Sequence, residues 1–176
     1  MNSRELETRY YMIKGLTQIK NKFLKALYKK QEFSTKGIVN IINTQFYIVP
    51  LANASVRAGN SQEKLQMVRA FLETDEQIYN PKKKEHVSIY EDTARVLTNI
   101  RSRQNRLRDK GVESIEERII EKGLDQNKFL IVNVTDILDK NLTGLVANQL
   151  ARAYKRPVLL KKAMNLMDQW GVMTKV

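Results

Sequence analysis

The sequence predicts an α+β fold: a mainly helical N-terminal half, a long connecting helix, and then a small β-α-β unit with two parallel strands. Apolar residues recur every three or four positions through residues 6–27, 62–73 and 88–122, the period of helices with one buried face. After Gly123 the pattern changes, and two short apolar runs, residues 128–134 and 157–161, flank an amphipathic stretch at 142–154. Two strands joined through a helix are expected to lie parallel with a right-handed crossover. The expected organisation is a helical region over 1–87, a connecting helix over 88–122 and a partial α/β domain over 123–176.

In chain order, Leu6, Tyr10, Ile13, Leu16, Ile19, Phe23 and Leu27 predict one amphipathic helix, or two broken near Gly15, with Lys22, Lys25 and Lys29 on the outer face. Residues 38–49 are rich in β-branched side chains yet keep Ile38, Ile42 and Phe46 at helical spacing. The run exceeds ordinary strand length, so a helix is expected, capped by Ser34 and Thr35 and ended by Pro50. Asn-Ala-Ser-Val-Arg-Ala-Gly at 53–59 then reads as a loop facing a substrate. The next helix, Gln62 to Glu73, is entered through Asn60 with Glu63 three residues on, and is expected to bury Leu65, Val68 and Leu72. Asn-Pro-Lys-Lys-Lys-Glu-His at 80–86 reads as a polar connection. Ser88 and Glu91 fit a second capping box opening a helix to about Lys122, with Leu97, Ile100, Leu107, Ile115 and Ile119 on one side and Gly111 as a weak point. Arg95, Arg103, Arg106 and Lys110 lie along another side, and Arg101 and Arg108 repeat at seven residues. This helix therefore presents guanidinium groups over several turns.

With 176 residues and 42% apolar content, the chain can bury the core of one domain or two small ones. A net charge of +12 and a pI near 9.9 favour a polyanionic partner, because lysines and arginines that displace counterions gain binding free energy from phosphate backbones. The excess is uneven: residues 1–60 carry ten Lys/Arg against three Asp/Glu, and residues 111–176 ten against eight. No stretch has the composition of a membrane span or a secretory signal, so a cytoplasmic protein without a membrane partner is expected. The absence of cysteine excludes disulfides, thiolate zinc sites and cysteine nucleophiles.

The residues offer no recognisable catalytic set, and no metal or cofactor site is expected in this chain. His86, the single histidine, stands among three lysines and a glutamate and reads as a surface imidazole. The pairs Asp75-Glu76, Glu91-Asp92 and Glu116-Glu117 are adjacent, and adjacent helical side chains diverge. Asp136 and Asp139 follow the carboxyl end of the first predicted parallel strand, where open α/β sheets place ligands. The plainer reading is a turn and a helix cap. P-loop, dinucleotide, esterase and zincin motifs do not occur.

Phe46-Tyr-Ile-Val-Pro-Leu-Ala-Asn-Ala-Ser-Val-Arg-Ala-Gly59 resembles the segment that follows the catalytic domain in RecJ-type DHH-family single-strand-specific exonucleases. Thr143-Gly-Leu-Val-Ala-Asn-Gln-Leu150, followed by Tyr154-Lys-Arg-Pro-Val-Leu-Leu160, resembles the opening β-α-β unit of the DHH-associated domain in the same enzymes. The resemblance covers most of residues 5–161 and follows the family's order, with a long helix between the two motifs. It implies that Asn53 and Arg57 sit at an interlobe cleft, Arg57 pairing with phosphate oxygens, Asn53 holding the loop and Gly59 permitting its turn. Arg95, Arg103, Arg106 and Lys110 would position a single strand. The alternative is that Asn53 caps a helix and Arg57 pairs with a surface carboxylate. Gly144 is expected to permit close helix-to-strand packing, and Arg156 to face phosphate or water.

Departures from the family pattern bound what the resemblance implies. The Asp-His-His element and the other metal-binding aspartates have no counterpart here, Asp139 and Asn141 stand where the family often has histidine and glycine, and no G-G-H-x-x-A-x-G element precedes the terminal Trp170-Gly-Val-Met-Thr-Lys-Val176. The expectation is a noncatalytic portion of such an exonuclease, acting in DNA repair or recombination. Its partner would be single-stranded nucleic acid, DNA favoured, with Mn or Mg held by a separate catalytic DHH domain. The rival is a helical protein-interaction module with a basic surface, docking through residues 6–27 and 97–119. A small phosphoesterase using Asp136, Asp139 and His86 is a third alternative.

Overall fold

The computed structural model describes residues 5–81 and 84–162. The first four residues, the middle lysines of the 80–86 segment and the C-terminal run containing Trp170 lie outside the described residues. The chain divides into two compact units, Met1–Gln104 and Asn105–Val176, with the boundary inside the long helix.

The first unit opens with α1 (Leu6–Thr17) and α2 (Lys22–Lys30). The break falls at residues 18–21 rather than at Gly15, because Asn21 starts a new helix: its side-chain oxygen accepts the Leu24 N–H at 3.0 Å. Phe23 and Leu27 of α2 are fully buried, whereas α1 buries no residue and leaves Leu6, Tyr10 and Ile13 exposed. Helical spacing alone therefore overstated the buried face of α1.

After α3 (Glu32–Thr35), a helical run forms from α4 (Ile41–Asn43), a π-helical turn (Thr44–Ile48) and α5 (Val49–Ala58). Its cap is Asn40, which accepts the Asn43 N–H at 2.7 Å, and not Ser34 or Thr35, which end α3. Pro50 does not terminate the run. Proline lacks an N–H and crowds the carbonyl four residues back, and the widened π turn immediately before it relieves both constraints. Residues 53–58 are consequently helical, so the expected loop is an α-helix, and only Gly59 lies beyond its end.

The capping box expected at the next helix is present in α6 (Ser61–Phe71): Asn60 accepts the Glu63 N–H and Glu63 accepts the Asn60 N–H, both at 2.8 Å. The buried stripe differs from the expected one. Leu65, Val68 and Leu72 are exposed, whereas Ala70 is buried and Met67 packs on the core. Two apolar stripes run along this helix, and the one through Met67 and Ala70 is joined by Gln66, which donates to Asp92 at 3.0 Å.

The segment at 80–86 is no simple connection. β1 (Gln77–Asn80) and β2 (Glu85–Ser88) pair antiparallel as a hairpin, with Ile78 opposite Val87 and Tyr79 opposite His86. It leads directly into α7 (Ile89–Glu121), where Ser88 Oγ accepts the Glu91 N–H at 3.3 Å. The core of this unit gathers Phe23, Leu27, Ile48, Leu51, Ala54, Ile89, Leu97 and Ile100.

In the second unit, Gly123 takes a left-handed conformation (φ 59°) that turns the chain out of α7 into a 3-10 turn (Leu124–Gln126). β3 (Leu130–Asn133) and β4 (Val158–Lys161) are parallel, in register from Leu130 opposite Val158 to Asn133 opposite Lys161, and α8 (Thr143–Tyr154) connects them. The α+β class and the small parallel unit thus agree with expectation. Ile115 and Ile119 of α7 pack with Leu130, Val132, Val146 and Leu150. Leu107 is half-exposed rather than part of this core. Gly111 is not a weak point: α7 runs through it unbroken, and a Cβ there would lie 2.7 Å from Leu138 Cδ1. Its glycine is a site of close approach. Gly144, expected to serve that purpose, has nothing within 4 Å of a built Cβ.

Candidate nucleic-acid interface

Asn53 and Arg57 are one helical turn apart on α5, so they share a face, and both are exposed. Asn53 lies in the helix interior and caps nothing, which removes both roles that a loop or a cap had suggested for it. Arg57 makes no hydrogen bond or ion pair among the described residues, and its guanidinium is open to an incoming anion. Gly59 has φ −80°, an ordinary conformation. It is required instead by crowding, since a Cβ there would sit 2.5 Å from the Ser55 carbonyl oxygen.

Directly beyond α5, Arg103 ties two helix ends together. Its Nη2 donates to the Ala58 carbonyl at 2.6 Å and to Glu63 Oε2 at 2.7 Å, and its Nη1 donates to Glu63 Oε1 at 3.2 Å. One guanidinium thereby satisfies a carbonyl at the end of α5 and the carboxylate that caps α6. Partial burial works against the charged form of Glu63, but the hydrogen bonds from Arg103 and from the Asn60 N–H outweigh it and hold its pKa below the ordinary glutamate value. Arg103 is committed to a bracing role, while Arg57 on the neighbouring helix remains available.

A cleft of about 280 Å³ opens in the same unit between α2, the hairpin and α7. Lys29, Lys30 and Arg95 supply its positive charge, Asn80 and Val87 come from the hairpin, and Glu91 is the carboxylate at its edge. Arg95 donates through Nε and Nη2 to Asp92 Oδ1 at 2.9 and 2.6 Å, and Asp92 is itself buried. That fixes the arginine stem and leaves Nη1 without a hydrogen bond among the described residues. Lys29 reaches Glu91 at 3.3 Å across an exposed edge, a contact too solvated to hold it firmly. The sequence signal for this cleft was the Lys29-Lys30 pair at the end of α2, but its second wall required the hairpin.

In the second unit, Arg106 and Lys110 are exposed, four residues apart on one face of α7, with no ion pair or hydrogen bond among the described residues. Asp136 is engaged by Arg118 at 2.9 and 3.2 Å, which lowers the carboxyl pKa, and Asp139 accepts the Asn141 N–H at 2.8 Å in a turn before α8. Arg156 donates to the Asp125 and Asn127 carbonyls and so fastens the 3-10 turn rather than facing outward. His86 projects from a strand against Tyr79, not from a loop. Among the described residues no three histidine, aspartate or glutamate side chains gather as a metal-ion site, and no helix is long and apolar enough to cross a membrane.

Comparison with known proteins yields no matching family model. The chain is similar to two curated relatives, one from Bacillus subtilis (strain 168), provisionally named SPbeta prophage-derived single-strand DNA-specific exonuclease YorK, and one from Bacillus phage SPbeta, provisionally named single-strand DNA-specific exonuclease yorK. Each is 56% identical over 167 residues, a match that covers 92% of this chain and 29% of the relative. The chain therefore spans less than a third of the length of the curated relatives it matches.

Proposed function

We propose that this chain is the nucleic-acid-binding, noncatalytic portion of a RecJ-like single-strand-specific exonuclease acting in DNA repair or recombination. It holds single-stranded DNA while a DHH-type domain outside the chain, using Mn or Mg, hydrolyses the phosphodiester bond. The observation that carries this reading is the 56% identity, over nearly the whole chain, to relatives named as single-strand DNA-specific exonucleases. The open guanidinium of Arg57, the cationic cleft with Lys29, Lys30 and Arg95, and the exposed Arg106 and Lys110 support it. Asn53, beside Arg57 on one helical face, offers an amide to the same phosphate, and Arg103 holds that helix end in place. Discrimination between bases is not expected from such contacts, because phosphate contacts carry position rather than sequence.

The test is fluorescence anisotropy with a labelled single-stranded oligonucleotide and the full chain, alongside an assay for released nucleotides with Mn²⁺ present. Binding without hydrolysis is expected. Arg57→Ala should weaken binding and lower the slope of log K against log salt by about one. Nucleotide release by the chain alone, abolished in Asp136→Ala, would replace this reading with that of a complete phosphoesterase.

A second reading, a helical protein-interaction module, draws on one specific observation. Helix α1 buries nothing and exposes Leu6, Tyr10, Tyr11 and Ile13, and Phe33 is 98% exposed. Oligomerisation in sedimentation, without affinity for oligonucleotide, would favour it.

A further inference from the structure

The hairpin that replaces the expected connection places an aromatic and an imidazole side by side in solvent. Tyr79 and His86 are cross-strand partners with ring centroids 5.6 Å apart at an interplanar angle of 61°. The two-residue period of the strands decides which way they face. Val87 is buried and Ile78, opposite it, packs on the core, so Tyr79 and His86 point the other way, and Tyr79 is 54% exposed. The hairpin is anchored without them: the Ile89 N–H donates to the Glu76 carbonyl at 2.9 Å at its base, and the Lys84 N–H donates to the Asn80 carbonyl at 2.8 Å at its turn. A polar pair would suffice on that outer face if hairpin stability were the only demand.

One described cation adjoins the pair. Lys84, two residues before His86, is exposed at the turn. The other face of the same hairpin contributes Asn80 and Val87 to the cleft that holds Lys29, Lys30 and Arg95. Exposed rings near a cation suit single-stranded nucleic acids, since every base has a π face to stack and every nucleotide a phosphate to neutralise, and with the two rings tilted at 61° a base would stack on one while the other flanks its edge.

We propose that the Tyr79–His86 pair is a base-stacking platform for single-stranded DNA, with Lys84 beside it for the adjoining phosphate. The proposal rests on the reading of the chain as a single-strand binder and adds the contact that distinguishes bases in a flexible strand from phosphate charge alone. Duplex DNA, whose bases already stack on one another, offers this pair nothing.

The test compares two labelled ligands of equal length, oligothymidylate and an abasic sugar-phosphate strand, in anisotropy titrations of the full chain. The wild type should bind oligothymidylate more tightly. Tyr79→Ala combined with His86→Ala should lower oligothymidylate affinity about tenfold and leave abasic affinity unchanged, whereas Tyr79→Trp should retain the preference for bases. Because the alanine pair could loosen the hairpin, Tyr79→Thr with His86→Thr, a pair suited to strands, serves as a second variant, with the melting temperature followed for both. Either variant, folded, binding oligothymidylate as tightly as wild type would overturn the platform alone. Failure of the wild type to bind either strand would overturn both the platform and the reading beneath it.

Discussion

Glu63 combines two roles in one carboxylate, closing the capping box of α6 and receiving the fork of Arg103. Glu63→Gln should destabilise the protein by about 1 kcal/mol at neutral pH in urea unfolding, a figure reduced for the partly exposed guanidinium. Because the pKa of Glu63 is lowered on folding, its contribution is present above the unfolded glutamate value and lost as pH falls through the folded one. The wild type should therefore lose its advantage over the glutamine variant on acidification below that range. Gly59→Ala drives a methyl group against the Ser55 carbonyl and should cost about 1–3 kcal/mol, since backbone has less room to yield than a side chain. Arg103→Ala should lower the melting temperature, whereas Arg57→Ala should leave it unchanged and act on oligonucleotide affinity. That contrast separates the bracing arginine from the one proposed to bind.

At the scale of elements, Gly111 lets α7 and the segment around Leu138 approach closely within the second unit. Gly111→Val should cost about 1–3 kcal/mol in unfolding experiments through overpacking, although α7 itself gains nothing from glycine. Helix α7, the capped α6 and the β-α-β unit were legible in the sequence, because each has a strong local signal: a cap, a long period, or an apolar run of strand length. What escaped was set by tertiary contact. The hairpin turns Ile78, Asn80 and Val87 inward and Tyr79 and His86 outward, too short an alternation to stand out beside three lysines, and one of its inward residues is polar. Pro50 read as a terminator because the π turn that accommodates it leaves no mark in composition. The same holds for the site residues. Arg57 was singled out only through the resemblance, with a surface ion pair as the alternative, and Arg103 and Arg156 could be seen as braces only once Glu63, Ala58, Asp125 and Asn127 had been placed around them.

On the scale of the whole molecule, net charge and the greater length of the relatives bear on the same proposal. The chain carries +12 and spans 29% of the length of the relatives it matches, and among the described residues its first helix buries none of its side chains. A charge of this size favours a polyanionic partner, in keeping with the single-strand binding proposed above. Whether the proposed cations hold the phosphate backbone of a single strand is decided by titrating a labelled single-stranded oligonucleotide at a series of salt concentrations. Log K is expected to fall linearly with log salt, with a slope of several units that shrinks by about one in Arg57→Ala. Binding indifferent to salt, or no binding at the lowest salt, would contradict it.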